Sequence, residues 1–84
     1  MRRLQIAVYH KEDDVPRFTV KIPAIIDLLD ASMIPEVVKK RMDRQGISVE
    51  QLLEKIKSAR VPGPILEFED QENRIVITLI EDSQ

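Results

Sequence analysis

Apolar and polar residues alternate at the start of the chain: Leu4, Ile6 and Val8 fall on one side, Arg3, Gln5 and Tyr9 on the other. A period of two predicts a strand with one buried face. The pattern stops at His10-Lys11-Glu12-Asp13-Asp14-Val15-Pro16 and resumes with Phe18, Val20 and Ile22 inward and Arg17, Thr19 and Lys21 outward. Two such runs around a seven-residue charged stretch predict a β-hairpin.

Pro23 suits the first turn of a helix, where its missing N–H is not needed. A first helix is therefore expected over Pro23 to Ser32, with Ile25, Leu28, Leu29 and Met33 on one stripe, Ile26 beside it, and Asp27 and Asp30 outward. Pro35 cannot sit deep inside a continuing helix, so a restart is expected there. Beyond it, Ile34, Val37, Val38 and Met42 form an apolar face, while Glu36, Lys39, Lys40, Asp43 and Arg44 form a polar one with i,i+4 pairs Glu36–Lys40 and Lys39–Asp43.

Gly46 fits the left-handed position just past that helix, which places Ile47 against Met42 as in a Schellman ending. Ser48 with Gln51 forms a capping box, and Ile47 can staple onto Leu52. A third helix from Val49 to about Arg60 would bury Val49, Leu52, Leu53 and Ile56. Pro62-Gly63 in Val61-Pro62-Gly63-Pro64 then suits positions i+1 and i+2 of a type II turn.

Two more strands follow. Leu66 and Phe68 alternate with Glu67 and Glu69, Asp70-Gln71-Glu72-Asn73 turns, and Arg74 to Glu81 returns with Ile75, Ile77 and Leu79 on one face and Val76 and Ile80 on the other. A strand exposed on one side has no need of that second apolar set. The expected fold is α+β, a single domain over residues 1–84: two antiparallel β-hairpins flanking a central block of two to three helices packed on one face of the sheet, β-β-α-α-α-β-β.

Composition narrows the chemistry. Without cysteine there is no disulfide, thiolate ligand or thiol nucleophile, and a single histidine excludes most zinc chemistry. Arg2 and Arg3 precede an apolar stretch too short for a signal peptide, and no apolar run approaches a membrane span, so a cytoplasmic protein is expected. The net charge of −2 hides an asymmetry: residues 35–60 carry a charge of +3 and residues 61–84 a charge of −5. A bipolar molecule of this kind can attract its own copies, or an anion at its basic helical face, without being basic overall.

No group of residues assembles a reaction centre. His10 with Glu12, Asp13 and Asp14 reads as a solvated loop, since consecutive acids project in different directions and no glycine shapes a calcium loop. Asp27 and Asp30 read as a wet helix face, Ser48 as a cap without a partnered base, and Gly63 as a turn residue. No catalytic, cofactor-binding or metal-ligating residue is assigned, and a non-enzyme without cofactors is expected.

The run Arg17-Phe18-Thr19-Val20-Lys21-Ile22-Pro23, followed by helices and Gly46-Ile47-Ser48-Val49-Glu50-Gln51-Leu52-Leu53, resembles ribbon-helix-helix DNA-binding proteins. That resemblance implies strands of two subunits in the major groove, with Arg17, Thr19 and Lys21 reading bases and Lys39, Lys40 and Arg44 meeting phosphates. Val20-Lys21-Ile22-Pro23, Ile34-Pro35, Gly46-Ile47 and Leu66-Glu67-Phe68-Glu69-Asp70 are also similar in layout to small uncharacterised bacterial α+β proteins. The first expectation for function is protein association, most simply a homodimer and otherwise an unidentified protein partner, with Ile25, Ile26, Leu29, Val76 and Ile80 at the interface and no membrane contact. DNA-binding regulation is the alternative.

Overall fold

The computed structural model describes residues 2–24 and 30–81. Along the chain lie β1 (Arg2–His10), β2 (Phe18–Pro23), a 3-10 turn (Ala31–Met33), α1 (Glu36–Arg44), α2 (Val49–Ser58), β3 (Gly63–Glu69) and β4 (Asn73–Glu81). The strands form one antiparallel sheet in the order β2-β1-β4-β3.

This arrangement corrects the expected β-β-α-α-α-β-β layout: the described residues hold two helices rather than three, both placed in the chain between the hairpins. The strand order, which the sequence left open, joins the hairpins through β1 and β4, paired from Arg2 opposite Glu81 to His10 opposite Asn73. The first and last strands are therefore the centre of the sheet.

Pro23 ends β2 instead of opening a helix, a position an edge strand tolerates because one side of its backbone needs no partner. The Ala24 amide continues the pairing to the Arg2 carbonyl at 3.0 Å. Most of the expected first helix, including Ile25, Ile26 and Leu29, lies outside the described residues. Its end, at Asp30, caps the 3-10 turn by accepting from the Ser32 amide at 2.7 Å.

Alternation decides the two faces. Leu4, Ile6 and Val8 of β1, Ile22 of β2, Phe68 of β3, and Ile75 and Ile77 of β4 are buried against Val38 and Met42 of α1 and Leu52 and Ile56 of α2. Two apolar residues expected inside lie at the rim. Phe18 is 45% exposed and Val37 47%, because Phe18 opens an edge strand beside Val37 where the cover from α1 ends.

The corner between the helices follows local chemistry. Gly46 adopts φ +74°, the Ile47 amide donates to the Met42 carbonyl at 2.9 Å, and the Gly46 amide donates to Asp43 at 3.0 Å. These are the two bonds of a Schellman ending. Ser48 and Gln51 close a reciprocal capping box, both bonds 3.1 Å. On α1, Glu36 pairs with Lys39 at 3.0 Å one turn away, rather than with Lys40 as the i,i+4 spacing predicted. Gly63, expected inside a type II turn, instead begins β3 at φ +155°, far from the ~+80° of that turn.

Candidate functional site

The face of the sheet opposite the core is the candidate surface. Arg3, Gln5, Ala7 and Tyr9 of β1 alternate onto it, as do Arg74, Val76, Thr78 and Ile80 of β4. The pairing register places Ala7 opposite Val76, Gln5 opposite Thr78 and Arg3 opposite Ile80. Among the described residues no helix packs on this side. Val76 and Ile80 are half-buried, and Ala7 at the centre is only 3% exposed. At one end the Arg74 guanidinium lies 4.7 Å from the Tyr9 ring centroid and 3.8 Å from Glu67.

The two edges of this face differ in charge. On β2, Thr19 pairs with Ala7 and Lys21 with Gln5, both exposed. On β3, Glu67 pairs with Val76 and Glu69 with Arg74, again exposed. A basic edge and an acidic edge thus flank a strip that is apolar at its middle.

A second polar assembly, Arg41, Asp70 and Asn73, holds α1 to the β3–β4 turn. Asp70 Oδ1 accepts from the amides of Asn73 at 2.8 Å and Glu72 at 2.9 Å, and its other oxygen pairs with Arg41. Those amides first, and the guanidinium in addition, hold its carboxyl below the usual carboxylate range. With Oδ1 facing the guanidinium, the buried Asn73 amide accepts from Arg41 at 3.0 and 3.1 Å. Asp-x-x-Asn was visible as turn chemistry, but nothing in the sequence marked Arg41 as its partner.

The family model described as "YvlB-like protein, C-terminal domain" matches residues 2–78. The chain belongs to this family. The YvlB-like match begins with β1 and runs into β4, so it takes in both hairpins, both helices and nearly all of the central strand pair. No curated protein matches the chain, and no solved structure does. These comparisons show a YvlB-like domain and no ribbon-helix-helix resemblance.

Within this YvlB-like domain the residues expected to meet DNA are divided. Thr19 and Lys21 alternate onto the helix-free face. Lys39, Lys40 and Arg44 ride on α1, across the sheet, and Arg17 lines a small pocket there with Phe18, Val37 and Arg41. Of the residues expected at a protein interface, Val76 and Ile80 share the open face, whereas Ile25, Ile26 and Leu29 lie outside the described residues.

A groove of about 620 Å³ between α2 and β3 is floored by Ile47, Leu52, Ile65 and Leu66, with Glu54 and Lys55 among its polar lining. Glu12, Asp13 and Asp14 are all exposed, and among the described residues no three His, Asp or Glu side chains gather as a metal site. No helix of the described residues is long and apolar enough to cross a membrane.

Proposed function

We propose that this chain is a non-catalytic association domain that works in the cytoplasm and pairs, most simply, with a second copy of itself through the helix-free sheet face. The observation that carries the reading is the position of Val76 and Ile80: both lie on the face of the central strand pair that no helix of the described residues covers. Association by the sheet edges is less favoured, because β2 carries Lys21 and Pro23 and β3 carries Pro64, Glu67 and Glu69. Charge and proline on edge strands oppose strand addition.

Four strands spaced ~4.8 Å apart offer a face on the order of 400–500 Å² per copy. Two such faces fall below a standard interface of ~1,600 Å², which implies a reversible dimer. Light scattering coupled to gel filtration should give twice the chain mass at tens of micromolar, and a monomer there overturns the reading. Val76→Asp and Ile80→Asp should lower that mass while far-UV dichroism keeps its helix signal. Unfolding of both variants would instead assign the two positions to the core and overturn their role as interface.

A further inference from the structure

We propose that the two copies stack face to face about a two-fold axis running parallel to the strands, which sets the basic β2 edge of each copy over the acidic β3 edge of the other. The proposal rests on the self-association reading and specifies its geometry. Stacked sheets lie ~10 Å apart with strands nearly aligned, so only two in-plane axes need comparison. An axis parallel to the strands reverses the order β2-β1-β4-β3 across the contact: β2 lies over the partner's β3, and β1 over the partner's β4. An axis perpendicular to the strands keeps the order, so each strand lies over its own copy.

Charge separates the two. Under the parallel axis the pairing register sets Thr19 over the partner's Glu67 and Ala7 over the partner's Val76, a small residue against a larger one at the centre. Lys21, two residues along β2 on the same face, is the cation beside the partner's Glu67. Lys21 has no ion-pair partner among the described residues, and Glu69 none either. Under the perpendicular axis, Glu67 and Glu69 meet the same acids of the second copy, and like charges held together across an interface are destabilising. The same complementarity predicts that the dimer weakens as salt is added.

Because the chain has no cysteine, single cysteines report the axis directly. A mixture of the full-length Thr19→Cys and Glu67→Cys proteins should cross-link through a short bismaleimide, and neither protein alone should. Lys21→Glu and Glu67→Lys should each raise the dimer dissociation constant roughly three- to tenfold, as expected for rim ion pairs repeated by symmetry. The double variant should return it to within about twofold of the parent. A dimer in which each cysteine variant cross-links to itself, or in which the charge reversal is not rescued, overturns the parallel axis and leaves self-association standing. A monomeric parent protein removes both.

Discussion

Ile47 is the residue on which two helix ends depend. Its amide closes the Schellman bond to Met42, and its side chain packs, partly buried, against the core cluster that holds Met42 and Leu52. Ile47→Ala should lower unfolding stability by about 2 kcal/mol, near the lower bound for buried isoleucine because this one is only partly enclosed. A denaturant midpoint equal to the parent's would show that the corner does not depend on it. Asp70 makes a different test at the same scale. Its carboxyl ionises more readily in the folded chain than in the unfolded one, so its contribution is fully present above the ordinary value of 3.8 and is lost as pH falls through the lower folded value. The stability gap between the parent and Asp70→Asn should be constant near neutrality and shrink below about pH 4. A gap that widens on acidification would contradict this assignment.

Among the elements, α2 has both ends secured by side chains. Ser48 and Gln51 satisfy its first amides, while Arg2 donates to the carbonyls of Ala59 at 3.3 Å and Arg60 at 2.8 Å and pairs with Glu81 at 3.3 Å. A cation at a helix C-terminus also complements the helix dipole. Ser48→Ala should cost about 1 kcal/mol, read from thermal or denaturant unfolding, since the cap oxygen is lost and the Gln51 amide is left to water. The first helix shows where this logic stopped. Pro23 is compatible both with a helix start and with the end of an edge strand, and only the pairing of Ala24 with Arg2 distinguishes them.

For the whole molecule, the decisive contact joins residues 2–10 to residues 73–81. The sheet centre cannot form until the ends of the chain meet, and such long-range pairing slows folding relative to helical proteins of similar size. A chain truncated after residue 72 loses β4, the strand that joins β1 to β3. It should lack the dispersed amide spectrum of a folded protein, and a folded truncation would show that each hairpin stands alone.

Local chemistry was legible in the sequence because it acts within a few residues. The Gly46-Ile47-Ser48 corner, the buried sides of β1 and β4, and the doubled apolar pattern of the last strand could all be read from spacing alone. Strand order could not, since the match between β1 and β4 rests on two alternating patterns that fit many partners equally well. Nor could the clamp of Arg41 on Asp70 and Asn73, which joins a helix to a turn 29 residues away. The tertiary structure decided which face of the sheet the helices cover. By placing β2 and β3 on opposite edges, it set Lys21 and the acids Glu67 and Glu69 on opposite borders of the face that no described helix covers. The charge balance along the chain did not foretell that separation, because its basic excess lies in residues 35–60, on the helices.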